Sequence, residues 1–189
     1  MHALRRIMAA LALVAVAVPA AAQSTGYDGE MFVKAISEDN GAEALKLLKD
    51  KPNLVNARNL EGKTALVAAI ETRNYDWTLY LLQKGADPNL RSASGDTPLI
   101  AAARAGFADA AEWLLSVGAK VDETNRQGET ALIIAVQQRQ VPLVRLLISK
   151  GADPDRADSA AGYSARDYAK RDNRTPELLR IIEARKPAG

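Results

Sequence analysis

Gly62-Lys63-Thr64-Ala65-Leu66, Gly95-Asp96-Thr97-Pro98-Leu99 and Gly128-Glu129-Thr130-Ala131-Leu132 begin 33 residues apart. The pairs Gly85-Ala86, Gly118-Ala119 and Gly151-Ala152 keep the same interval. A fixed period of this length constrains the fold more than composition does. Each copy is one supersecondary unit that cannot bury its own apolar face, so it must stack on its neighbours. A weaker start at Gly162-Tyr163-Ser164-Ala165-Arg166 comes 34 residues after Gly128, which places one inserted residue near Ala160-Ala161. Backwards, Gly29 stands 33 before Gly62 and keeps only the glycine and an apolar residue four positions on.

Each unit reads as helix, turn, helix and a long hairpin-like loop. Thr97 is suited to cap a helix, because its hydroxyl can accept from a free N–H of the first turn. Pro98 follows at the first helical position, where a missing N–H does no harm. Leu99 to Arg104 is short and alanine-rich, which permits close approach of another helix, and Gly106 can take the left-handed conformation that ends it. A second helix is expected over about Ala108 to Val117, with Trp113, Leu114 and Leu115 apolar. Gly118 to Gly128 is rich in turn residues.

These features resemble the ankyrin repeat: the Gly-x-Thr-Pro-Leu start, the alanine-rich first helix, the Leu-Leu pairs (Leu81-Leu82, Leu114-Leu115, Leu146-Leu147) and the Gly-Ala-Asp ending. The resemblance covers about 29–184 and implies an all-α solenoid of helix-turn-helix units joined by hairpin-like loops. Units are expected at about 29–61, 62–94, 95–127, 128–161 and 162–184, the outer two acting as polar caps. Val67, Ile100 and Ile133 stand where the family often has His. Asn40, Arg73, Gly106 and Arg139 stand where it has Gly between its helices, with Asn74 able to take the turn after Arg73. Asn59, Ser92, Asn125 and Asp158 replace the loop Asp, and each can stabilise a turn locally.

The start of the chain reads differently. Arg5 and Arg6 precede twelve uncharged apolar residues, Ile7 to Val18, then Pro19 and Ala20-Ala21-Ala22. That order is expected of a secretory signal peptide, residues 1–22, cleaved before Gln23. The apolar stretch to Ala22 has sixteen residues, short of the roughly 20 that span a bilayer. No Cys follows for lipid attachment. A short linker, 23–28, and a tail, 185–189, complete the expected organisation, with export to the periplasm or beyond and no stable membrane insertion after cleavage.

Composition then narrows the chemistry. The chain has 25 Lys and Arg against 23 Asp and Glu; removal of Arg5 and Arg6 leaves 23 of each. The net charge of the mature chain is zero, and no basic nucleic-acid footprint stands in the total. The chain has no Cys, and its single His is His2. The mature protein therefore lacks disulfides, a thiol nucleophile, an imidazole base and the usual zinc ligands. No catalytic residue, cofactor or metal site is expected. Pairs such as Asp153 with Asp155, or Asp167 with Asp172, keep a carboxylate-dependent hydrolase as a distant alternative.

What varies between copies is free for other work. The resemblance implies that loop tips and first-helix positions line a concave face that grips a partner protein. The varying residues there are Arg58, Leu60, Lys63, Glu71, Arg91, Asp96, Arg104, Arg126, Glu129 and Gln137. Arg58, Arg91 and, offset from register, Arg126 suggest a basic ridge interleaved with Asp96 and Glu129. Such a ridge would also suit an acidic cell-envelope polymer, the alternative ligand. Trp77 and Trp113 are expected in the core and Leu79 on the outer surface. A monomer is expected. Exported proteins of this appearance include companions of oxidative-stress enzymes and immunity proteins against secreted toxins; a fold does not choose between such roles.

Overall fold

The computed structural model describes residues 20–184. The expected signal peptide lies mostly outside the described residues. Helix α1 (Ala20–Ser37) takes in Gln23 to Asp28, so the segment expected as a linker is helical. The remaining helices are α2 (Gly41–Asp50), α3 (Ala65–Glu71), α4 (Tyr75–Gln83), α5 (Pro98–Ala105), α6 (Ala108–Ser116), α7 (Ala131–Gln137), α8 (Val141–Ser149), α9 (Ala165–Arg171) and α10 (Pro176–Glu183). A 3-10 turn, Pro52–Asn56, follows α2. Among the described residues there is no strand, only the isolated bridges Arg58–Thr64 and Ala157–Ser164. The architecture is an all-α repeat solenoid.

The first helices are too short to stand alone. In α3 every residue from Ala65 to Ile70 is buried, and the same holds for Leu99 to Ala103 and for Ala131 to Val136. Isolated helices under about 12 residues are marginal in water, so burial between neighbours supplies their stability. Small alanines let α3, α5, α7 and α9 approach closely, and they pack on one another more tightly than α4, α6 and α8 do. A stack that is tighter on one side curves toward that side, which puts the first helices on the concave face. Threonine starts α3, α5 and α7: Thr64, Thr97 and Thr130 accept from the N–H of Val67, Ile100 and Ile133, each at 3.2 Å. Ser164 and Asp167 form a reciprocal capping box on α9.

Register is fixed by contacts between successive loops. Asn56 Oδ1 accepts from Asp87 N–H (2.8 Å), Asn89 Oδ1 from Lys120 N–H (2.9 Å) and Asp122 Oδ1 from Asp153 N–H (2.8 Å). The glycine that opens each phrase has two reasons to be there. Gly62, Gly95 and Gly128 all have positive φ. A Cβ on them would also lie 2.6 Å from Ala93 Cβ, 2.8 Å from Arg126 Cγ and 2.5 Å from Ser159 Oγ in the next loop. The inserted residue in the last loop is absorbed by Asp158. Its N–H donates to Tyr163 O, five residues on, where Asn125 N–H donates to Glu129 O, four on. The buried Asp158 Oδ1 then accepts from the N–H groups of Ala160, Ala161 and Gly162.

Three expectations need correction. Between the helices of the first unit the left-handed residue is Asp39 (φ +54°), and Asn40 instead caps α2. Arg73 and Arg139 themselves take φ +52° and +56°, in register with Gly106 at +63°, while Asn74 caps α4. Asn40 and Asn74 are thus equivalent at an interval of 34, because α2 has ten residues where α4, α6 and α8 have nine. Finally, the third Leu-Leu pair is offset by one: the fully buried equivalents are Leu81, Leu114 and Leu147. Of the two tryptophans expected in the core, Trp113 is only half-buried. Trp77 is buried, and Trp113 packs edge-on to Tyr75 and Phe107 with ring centres 6.0 and 6.1 Å away.

Two predictions follow from these contacts. A left-handed L-residue costs about 1–2 kcal/mol. Arg73→Gly should therefore stabilise the protein by about 0.5 kcal/mol after glycine's own entropic cost, whereas Gly106→Ala should destabilise it by about 1 kcal/mol, both read by urea denaturation. For Asp158, burial opposes ionisation, but the Tyr168 hydroxyl and the turn N–H groups outweigh it and hold the carboxyl below its ordinary 3.8. A carboxyl depressed on folding contributes stability above its unfolded pKa and loses it as pH falls through the folded one. Asp158→Ala should cost about 2 kcal/mol at neutral pH, and the deficit should shrink as pH drops below about 4.

Candidate functional site

Little of a first helix is left to meet solvent. In α3 only Glu71 is exposed, in α5 Arg104 is the exposed residue, and in α7 only Gln137. The loop residue just before each cap lies eight positions earlier, at Lys63, Asp96 and Glu129, two helical turns away on the same stripe. The structure brings these candidates together as a ladder. Lys63 Nζ is 2.7 Å from Glu71 Oε2. Arg104 bonds Asp96 at 3.0 Å and, across the unit boundary, Glu129 at 2.8 Å. Asn125 Nδ2 donates to both Asp96 (3.0 Å) and Glu129 (2.8 Å). In the last unit the rung is aromatic: the Arg171 guanidinium lies 3.7 Å from the centre of the Tyr163 ring. Val67, Ile100 and Ile133 sit midway between the two ends of their rungs in sequence, all buried.

The rungs alternate in sense. Lys63 and Glu71 run positive to negative along the stripe, and Asp96 and Arg104 run negative to positive. Burial works against the charge of Arg104, but Asp96 and Glu129 outweigh it and push its pKa up. These side chains are partly exposed, so their pairs contribute to shape and pattern more than to stability.

The basic ridge is not assembled. Arg91 is half-buried, and its guanidinium donates to Gly95 O at 3.1 Å, to Thr124 O and to Glu123 of the next loop. It fastens one loop to another. Arg58 makes the equivalent bond to Gly62 O at 3.0 Å, but Thr124 occupies their register position in the third loop. Arg126 stands two residues further on, exposed, over Gly95. Asp96 and Glu129, expected between the arginines of the ridge, serve Arg104 instead. Leu60 is 82% exposed at the first loop tip, and its N–H is held by Glu30 at 2.8 Å. Gln137 opens toward a shallow cavity of about 220 Å³ that is also lined by Arg139, Tyr168, Arg171 and Asp172.

Sequence reading passed over Asn56, Asn89 and Asp122, although they recur at 33 residues and hold every central boundary. It also passed over Tyr163 and Arg171, because the inserted residue moves them out of strict period.

The carboxylates weighed for catalysis all have structural partners. Asp153 Oδ1 accepts from Asp155 N–H at 2.9 Å. Asp155 is held low by the Arg166 guanidinium, Asp167 by the Ser164 hydroxyl and N–H, and Asp172 by the Arg174 N–H and by Arg139. A general acid needs a raised pKa, and these three are lowered. Among the described residues no group of three or more His, Cys, Asp or Glu could hold a metal ion. No described helix is long and apolar enough to cross a membrane.

No curated protein matches the chain. Two family profiles do match: ankyrin repeats in three copies over residues 81–158, and ankyrin repeats in many copies over residues 47–102. Ankyrin repeats are in general protein-interaction modules, typically non-catalytic. The matches jointly run from 47 to 158, more than half of the 189 residues, and coincide with the stacked helix pairs and loop ladder; the chain belongs to the ankyrin-repeat family.

Proposed function

We propose that this protein is an exported, non-catalytic binding module that grips one partner protein with its concave face. The observation that carries the reading is the ladder. Six of the ten residues that vary between copies converge on one stripe, while the residues that repeat are spent on stacking. Binding sites on repeat proteins are built this way, because the repeated positions define the solenoid and leave the others to the ligand. Export rests on the charged, apolar and small-residue order of residues 1–22, and places the protein in the periplasm of a two-membraned cell or outside the cell.

The ladder also suggests how a partner is chosen. Its charges already have partners of their own, so an incoming segment must replace each pair with one at least as good. Wrong partners leave a desolvated charge behind, which is a source of specificity. An acidic polymer, the alternative ligand, would need free cations in a row. Arg58 and Arg126 remain for it, but Arg91 and Arg104 are occupied.

The test is affinity capture from an envelope extract, followed by titration against the protein recovered. Arg91, Asp96, Arg104 and Glu129 fasten units together, so the informative variant spares them and replaces Arg58, Leu60, Glu71, Arg126 and Gln137 with Ala. With circular dichroism unchanged, this variant should bind the recovered partner at least about tenfold more weakly. Equal binding would remove the loop tips and the exposed helix ends Glu71 and Gln137 from the contact surface. Capture that yields only polymer, and that collapses as salt is raised, would favour the alternative.

A further inference from the structure

The outer face is uneven. Helix α4 packs on α6, α6 on α8 and α8 on α10, but α2 does not meet α4 as closely. α2 also carries one residue more than α4, α6 and α8 do. An open groove remains between α2 and α4. Two cavities of about 450 and 320 Å³ share Leu45 and Tyr80 as lining. Leu45 is 47% exposed at the centre of this lining, whereas Tyr75 turns to the other side of α4, against Phe107 and Trp113. Of the six large apolar residues exposed in the described chain, only Val117 lies beyond α4.

Charge is ordered along this groove. Asp39 and Asp76 lie at the end where α2 and α4 begin, and Lys49 and Lys84 at the end where they finish. Neither Asp76 nor Lys49 has an ion-pair partner among the described residues; Lys84 rests over the Tyr80 ring at 5.3 Å. A surface with acid at one end, apolar residues in the middle and base at the other is complementary to itself under a two-fold axis. Rotation about an axis through the Leu45–Tyr80 region lays the Asp39/Asp76 end of one copy over the Lys49/Lys84 end of the other, and does so twice. Isologous pairing of this kind is the commonest route to an oligomer.

We propose that the α2/α4 groove is a homodimer interface, occupied by the same face of a second copy of this chain. Leu45 of each protomer enters the open space beside Trp77 and Tyr80 of the other. The surface spans two helices only, which puts the interface at the low end of the size range and makes the dimer reversible. The concave ladder stays free, so each dimer presents two binding faces. This replaces the monomer expected from the sequence.

Sedimentation equilibrium on the native protein tests it. Across the micromolar range the molar mass should rise toward twice that of the chain, and Leu45→Asp should weaken association at least about tenfold. Two exposed charge reversals then test the orientation. Asp76→Lys alone and Lys84→Glu alone should each be monomeric, because each places like charges together at both ends. Mixed in equal amounts they should form a heterodimer. A wild type that stays monomeric throughout overturns the proposal and leaves the groove to a segment of another protein. A dimer indifferent to Leu45→Asp, or a mixture that fails to pair, overturns the interface.

Discussion

Everything in this protein depends on a helix of seven or eight residues being buried on both flanks by its neighbours. Such a helix has no stability of its own, and the chain has no Cys from which a disulfide could compensate. Its alanines let backbones come close, its threonine cap satisfies the first turn, and its glycine-opened loop lies against the next loop without a side chain between. The repeated phrase is therefore a description of an interface, written once for each boundary. Function takes what is left: one exposed end per helix and the loop residue beside the cap.

Much of this was legible because stacking needs the same residues at the same interval. The Gly-x-Thr phrase located α3, α5 and α7 to within a residue or two, and the substitutes Asn59, Asn125 and Asp158 hold their turns as short polar residues should. Two of the misreadings share one origin, which is strict counting across places where the period changes. One extra residue in α2 moved the left-handed position from Asn40 to Asp39. One in the last loop hid the Tyr163–Arg171 rung. Arg73 and Arg139 accept a left-handed backbone because the following helix fixes the turn, a tertiary demand that local preference cannot reveal.

The site was legible in its residues more than in its geometry. Lys63, Glu71, Asp96, Arg104 and Glu129 stood out as varying positions, but their pairing along a stripe requires the helix between them to be wholly buried. Arg91 illustrates the opposite case. As a letter it matched Arg58; in space it meets Glu123 and Thr124 O and becomes a fastener. A varying residue in a repeat protein is free of the repeat's rule, but not free of its neighbours.

The loose packing of α2 on α4 has a consequence for how the molecule comes apart. In a linear array each unit is coupled only to those beside it, so the ends open before the middle and each boundary sets its own toll on the opening. The boundary between the first two units is held by α1 against α3 on one side, but only loosely by α2 against α4 on the other. Opening therefore enters the array from this end, with the first unit parting as a flap while the rest keeps its form. Association at that same face would give the weakest boundary the neighbour it lacks.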